Sequence, residues 1–118
     1  MKHSTAAPTK ADKARFARLK EDGCICCRLN DALGLIVPGN VPEIHHLIMA
    51  NRRRGHRFTI CLCSAHHRGV CVFGRAWMNR HLGPSLAYGS KPFHAFYGSD
   101  DRLLELQDQR IGAEQIAA

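Results

Sequence analysis

Acidic residues are scarce in this sequence beside basic ones. Ten Asp and Glu stand against 17 Lys and Arg in 118 residues, a formal charge of +7, and the pI is about 9.5. That balance does not define a fold, but it predicts attraction to polyanions, with nucleic acid first. Long apolar runs are missing too, which excludes a membrane-spanning helix. No basic amphipathic helix of useful length is evident, so a membrane surface is the weaker partner. The opening Met1-Lys2-His3-Ser4 runs into Pro, Lys and Asp without the apolar core of a secretory signal, and the expected location is the cytoplasm. There is no internal repeat and no low-complexity tract. What remains is one domain, with a core modest enough that a metal staple is in keeping with its size.

Residues 1–9 are small and polar and are expected to form a disordered tail ahead of a single domain over 10–118. Lys10 to Lys20 predicts a short helix with Ala14, Phe16, Ala17 and Leu19 on a partial apolar face, among basic residues that include Arg15 and Arg18. Gly23 stops it. Cys24 to Arg28 reads as a knuckle, a tight turn whose amides point at thiolate sulfur. Leu33 to Val37 reads as extended and Pro38-Gly39-Asn40 as a turn. A strand from Val41 to Ile48 ends near His45-His46. A basic loop over Asn51 to Arg57 leads to a second short strand, Phe58 to Leu62. Ser64 caps a short helix carrying His66 and His67. Val72 to Leu82 predicts a helix with Phe73, Ala76 and Trp77 on one face, ended by Gly83-Pro84. Another short helix opens at Ser90-Lys91-Pro92-Phe93 and stops at Gly98. Ser99-Asp100-Asp101 caps a final one with Leu103, Leu104, Leu106 and Ile111.

Six cysteines are present. In a reducing compartment they read as metal ligands or buried thiols rather than as a disulfide framework. Zinc takes four ligands in a tetrahedron, and a Cys-x2-Cys spacing lets two sulfurs converge from one turn. Cys24 with Cys27 has that spacing, and so does Cys63 with His66. Together they make a Cys3His site. Cys26 beside Cys27, and His67 beside His66, can each substitute. Cys61 and Cys71 read as core thiols.

One zinc leaves His45, His46 and His67 over. Side chains alternate along a strand, so of two adjacent histidines one can face a metal while the other faces water or substrate. On the following helix His66 and His67 diverge by about 100°. His45 and His67 can therefore hold a second cation, with His46 beside it. Phosphodiester hydrolysis needs such a set: a cation for the developing charge and a neutral imidazole to take a proton from water. Arg52, Arg53, Arg54 and Arg57 are the densest basic cluster, placed between the two strands that carry the site. They are suited to DNA phosphates rather than to reading bases. His56, in the same loop, is a further phosphate-contact candidate, whereas His81 and His94 are not expected to be ligands.

The order Cys-x2-Cys, strand with His-His, second strand and Leu-Cys-x2-His-His resembles the HNH (His-Me finger) endonucleases. Glu43-Ile44-His45-His46-Leu47, Leu62-Cys63-Ser64-Ala65-His66-His67-Arg68-Gly69 and Gly89-Ser90-Lys91-Pro92-Phe93 with Phe96-Tyr97-Gly98 are similar to the phage Ref-type RecA-dependent nucleases. This likeness covers roughly Gly23 to Ile111. It implies an α+β fold: a small ββα-metal core with a structural zinc knuckle and flanking helices. It implies a metal-dependent DNA endonuclease directed by a RecA-type recombinase filament, working in the bacterial host cytoplasm if phage-encoded. By the same resemblance His46 matches the general base, His45 replaces the usual metal-binding aspartate, and His67 matches the metal-binding histidine of the helix. Cys24, Cys27, Cys63 and His66 match the structural Zn2+ set. The catalytic ion is then Mg2+, Mn2+ or Zn2+, and histidine in place of aspartate shifts preference towards zinc or another borderline metal. Phe58 falls near the expected middle asparagine, which leaves the residue that orients the base unassigned. The alternative is a non-catalytic zinc-stapled DNA-binding module, for which the four zinc ligands suffice.

Overall fold

The strand Thr59–Cys63 is buried at every position, and the elements around it supply the cover. The computed structural model describes residues 6–35 and 41–113. In chain order these form helices α1 (Lys10–Asp22) and α2 (Ile25–Leu33) and strands β1 (Pro42–His46), β2 (Ile48–Met49), β3 (Arg52–Arg53) and β4 (Thr59–Cys63). Then come helices α3 (Ser64–Arg68) and α4 (Gly74–His81), a 3-10 turn at Leu86–Tyr88, α5 (Ser90–Tyr97) and α6 (Asp100–Ile111). The fold is α+β.

β1 runs antiparallel to β4, in a register from Pro42 opposite Cys63 to His46 opposite Thr59. The near-continuous apolar run Thr-Ile-Cys-Leu-Cys suits a strand covered on both faces. On its free edge the Cys61 N–H donates to Gln107 Oε1 of α6 at 2.7 Å. Gln107 Nε2 in turn donates to Gly23 O at 2.8 Å. A side chain thus closes the edge that a further strand would otherwise pair with.

Local chemistry explains the helix ends. Thr9 and Asp12 form a capping box on α1, two donors satisfied reciprocally. Gly23, at φ +93°, ends that helix. Arg15, counted from sequence among the basic residues of α1, is instead buried. It pairs with Asp108 of α6 at 2.7 Å and donates to Thr59 Oγ1 at 3.0 Å and Thr59 O at 2.6 Å. One guanidinium therefore joins α1, β4 and α6.

Several expectations need correction. Cys24 to Arg28 is not an isolated turn: Cys24 is the N-cap of α2, and its sulfur accepts the Cys27 N–H at 3.4 Å. Leu33 closes that helix instead of opening an extended segment. The turn expected at Pro38-Gly39-Asn40 lies outside the described residues, as do positions 1–5 of the expected tail. The strand ends at His46, where an end was expected; Leu47 drops into the core, and Ile48–Met49, read with that strand from sequence, instead starts a separate hairpin with Arg52–Arg53. Ala50 and Asn51 both have positive φ, 53° and 62°, the backbone of a two-residue hairpin turn. The basic loop is therefore half hairpin. The helix expected from Val72 starts at Gly74, and its buried residue is Met78, while Phe73 and Ala76 face solvent.

Arg15→Ala leaves the Asp108 carboxylate buried without its cation, and removing one partner of such a pair costs about 3–5 kcal/mol. Denaturant unfolding is expected to show that loss. The exposed Lys13→Ala is expected to stay within about 0.5 kcal/mol of wild type.

Candidate functional site

Two helix N-termini build the first site. Cys24 caps α2 and Cys63 caps α3, and the Cys63 sulfur accepts the His66 N–H at 3.5 Å. Each cap places the residue three positions on beside its own sulfur. The sulfurs of Cys24, Cys27 and Cys63 and a ring nitrogen of His66 all lie within 4.8 Å of one another, and all four residues are buried. Thiolates about 2.3 Å from a tetrahedral zinc sit roughly 3.8 Å apart. The Cys27 and Cys63 sulfurs are separated by 3.8 Å, and His66 Nδ1 lies 3.2 to 3.7 Å from the three sulfurs.

The other face of the His66 ring settles its tautomer. Nε2 donates to Leu82 O at 2.7 Å, so Nδ1 keeps its lone pair for a ligand. Asn30 Nδ2 reaches the same carbonyl at 2.7 Å, and Tyr97 Oη donates to Asn30 Oδ1 at 2.8 Å. Gly83 allows this approach: a Cβ there would stand 2.1 Å from Tyr97 Oη. Asn30, Leu82 and Tyr97 were not legible as site residues, because nothing in their spacing points at His66.

Burial opposes a thiolate at Cys24, but hydrogen bonds from Cys26, Cys27, Cys63 and His66 outweigh it and hold the pKa well below the thiol value. Cys27 is pushed up, first by its hydrogen bond to Cys24. Burial likewise opposes charge on His66, yet hydrogen bonds to Cys24 and Cys63 carry it up to about 10. Three thiols this close favour a positive charge among them. A divalent ion such as zinc meets that demand, with all three thiols ionised and the imidazole neutral. Cys26 and His67 lie outside this group. Cys61 does too, its thiol pushed up to about 12 by burial, as does the half-buried Cys71.

The surplus histidines divide between two faces of β1. His45 meets His67 of α3, their ring centroids 5.0 Å apart. Glu43, two residues before His45 and on the same face, lies 2.9 Å from His67 Nδ1 and is gripped through both oxygens by Arg68. A carboxylate on Nδ1 leaves His67 Nε2 for a ligand. His46 points the other way. Its ring packs edge-on to Phe16 of α1, and its Nε2 is 3.0 Å from His56 Nδ1. His56 Nε2 donates to Ala6 O at 2.6 Å, so His56 Nδ1 is an acceptor and His46 Nε2 the donor. The unshared nitrogen of His46 is Nδ1. Burial is the first cause that brings both His45 and His46 down to about 4; repulsion follows, from His67, His46 and His94 at His45 and from Arg53 and His56 at His46. Both rings are neutral near pH 7. His45, His46 and His67 are thus not packed as one cluster. Among the described residues, the Cys3His set is the one group of three or more metal-type ligands drawn together.

The arginines also divide. Arg52 and Arg53 lie exposed on β3, and Arg57 is exposed after it. Arg54 turns inward, pairing with Asp101 at 2.6 Å and stacking 4.4 Å over the Phe58 ring. His94 bonds to Gly98 O and lies 3.3 Å from Asp100. Among the described residues no helix is long and apolar enough to cross a membrane.

A structural zinc contributes about 10–16 kcal/mol of apparent folding energy in small domains, so stripping the metal with a strong chelator is expected to abolish cooperative unfolding. Metal analysis separates the neighbouring cysteines: Cys26→Ala is expected to retain one zinc per chain and Cys27→Ala to lose it. The reverse pattern refutes the ligand set.

The comparisons with known proteins bear on both groups. Neither the curated proteins nor the solved structures yield a match. A family model described as recombination enhancement, RecA-dependent nuclease matches residues 8–112. That span takes in the Cys3His cluster, all three surplus histidines and the β3 arginines, and the chain belongs to this family of RecA-dependent nucleases.

Proposed function

We propose that the protein is a metal-dependent DNA endonuclease with a small ββα-metal (HNH) core, directed by a RecA-type recombinase filament. What carries this is the β1–β4–α3 unit, which sets His45 against His67 while Glu43 fixes the His67 ring. His45 and His67 are the ligands of the catalytic cation, separate from the structural Cys3His zinc. Bound there, a divalent ion stabilises charge on the scissile phosphate and the leaving oxygen. His46 is the general base. Its Nε2 is held by His56, so Nδ1 takes the proton from the attacking water, whose oxygen bonds to phosphorus as the P–O bond to the leaving oxygen breaks. His56 supplies the orienting contact that Phe58, at the expected asparagine position, cannot make. β1 ends at His46, and a strand of DNA crossing that end meets both faces. Arg52, Arg53 and Arg57 neutralise its phosphates, while Arg54 serves the fold.

One observation favours a second reading, a zinc-stapled DNA-binding module: only the Cys3His set forms a ligand group among the described residues. Metal counting on purified protein separates the two. One tightly held zinc supports the module, and a second, exchangeable site supports the enzyme.

The direct test is plasmid cleavage in the presence of a recombinase filament. His46→Ala is expected to keep its zinc and its fold and to lose about 10²- to 10⁴-fold in cleavage rate, the usual contribution of general-base catalysis. Wild-type cleavage by that variant sinks the assignment. Glu43→Gln, which weakens the hold on His67, is expected to raise the metal concentration for half-maximal cleavage by about 10- to 100-fold.

A further inference from the structure

Helix α4 carries a ladder of rings that the nuclease site does not use. Phe73, Trp77 and His81 recur every four residues, and their centroids are 4.7 Å apart at both steps, with interplanar angles of 41° and 38°. Trp77 is half-buried against the core. The end ring, Phe73, is 67% exposed, and Val72 beside it is 92% exposed. The rings are tilted rather than stacked, and the row ends on an exposed aromatic side chain against which another flat ring can pack.

The charge around the ladder narrows the choice of that ring. Between Glu43 and Asp100 the sequence holds no acidic residue, and Arg75, Arg80 and His81 lie on or at the end of α4. Arg80 is exposed on the face of α4 that carries the rings, whereas Arg75 turns to the Tyr88 ring and carbonyl. An apolar protein partner would find the rings but no use for this charge, whereas a nucleic-acid strand uses both: bases stack and phosphates are neutralised. In a duplex the bases already stack on one another, so an unpaired strand fits better. Phe73 is six residues from His67, and chain reach limits that separation to roughly 20 Å, a span of a few nucleotides.

We propose that Phe73, continuing the row of Trp77 and His81, is a platform for an unpaired DNA base, with Arg80, seven residues on and on the same helix face, on the adjoining phosphate. The platform rests on nucleic acid being the ligand but not on the catalytic assignment, and it can be read without cleavage.

Trp77 is the single tryptophan of the chain, so its fluorescence reports the ladder directly. The zinc-loaded full-length protein is titrated with a dT20 oligonucleotide and with a duplex of equal length, without recombinase and without added catalytic metal. The expected result is saturable quenching of Trp77 by dT20. Phe73→Ala and Phe73→Leu are both expected to weaken dT20 binding by roughly 5- to 150-fold, the range for losing one stacked base, and Phe73→Trp to restore it in a binding assay such as anisotropy. Duplex affinity is expected to change little in any of them. Retained zinc and an unchanged unfolding midpoint show that the variants are folded. The proposal fails if Trp77 does not respond to dT20, if Phe73→Leu binds as wild type, or if the variants lose duplex and dT20 binding equally. It also fails if Phe73→Ala leaves dT20 binding intact but abolishes association with a recombinase filament, since the face then belongs to a protein. Loss of plasmid cleavage in His46→Ala with unchanged dT20 binding supports both assignments separately.

Discussion

The imidazole of His66 is the contact on which the rest of the domain depends. One nitrogen faces three sulfurs from the first turns of α2 and α3, and the other is bonded to Leu82 O at the end of α4. Asn30 and Tyr97 meet the same carbonyl region from α2 and α5. A ring committed on both edges cannot rotate, and its neighbours cannot move without leaving a buried polar group unpaired. The metal-type ligands and the polar contacts behind them therefore set the positions of four helices in a chain whose apolar core is small.

That rigidity is what makes the histidine pair on β1 informative. α3 starts directly after Cys63, the last residue of β4, with no intervening loop, so the helix that delivers His66 to the sulfurs delivers His67, one residue later, to His45. The same alternation that turns His45 towards α3 turns His46 towards α1 and His56. One strand end thus presents a ligand-like pair on one side and a neutral, hydrogen-bonded imidazole on the other. Burial keeps both β1 rings uncharged near neutral pH, the state that metal binding and proton acceptance both require.

The basic character of the chain is likewise divided by packing rather than spread evenly. Arg15 and Arg54 are spent on Asp108 and Asp101, and Arg68 on Glu43. These pairs commit three of the arginines to the fold. Arg53, Arg57, Arg75 and Arg80 remain at the surface, in or near the acid-free stretch, and an anionic ligand meets its strongest attraction there.

Ligand chemistry was legible early because Cys-x2-Cys and Cys-x2-His are local patterns: two donors three residues apart converge whatever the rest of the chain does. The helices ending at Gly23 and Gly98 and the one beginning after Ser99 were legible for the same reason, since caps act within a turn. The hairpin that follows Leu47, the burial of Arg15 and the exposure of Phe73 were not. Each depends on which residues arrive opposite: Phe58 at Leu47, Asp108 and Thr59 at Arg15, and Trp77 alongside a Phe73 that stays 67% exposed. The same holds for His56, which reads from sequence as a phosphate-contact candidate in a basic loop until the fold carries it back to His46. Residue type and short spacing decided which chemistry the chain can do. Only the packing of α1, α3 and α6 around β4 decided which histidines share a face, because facing is a property of neighbours that the sequence places tens of residues apart.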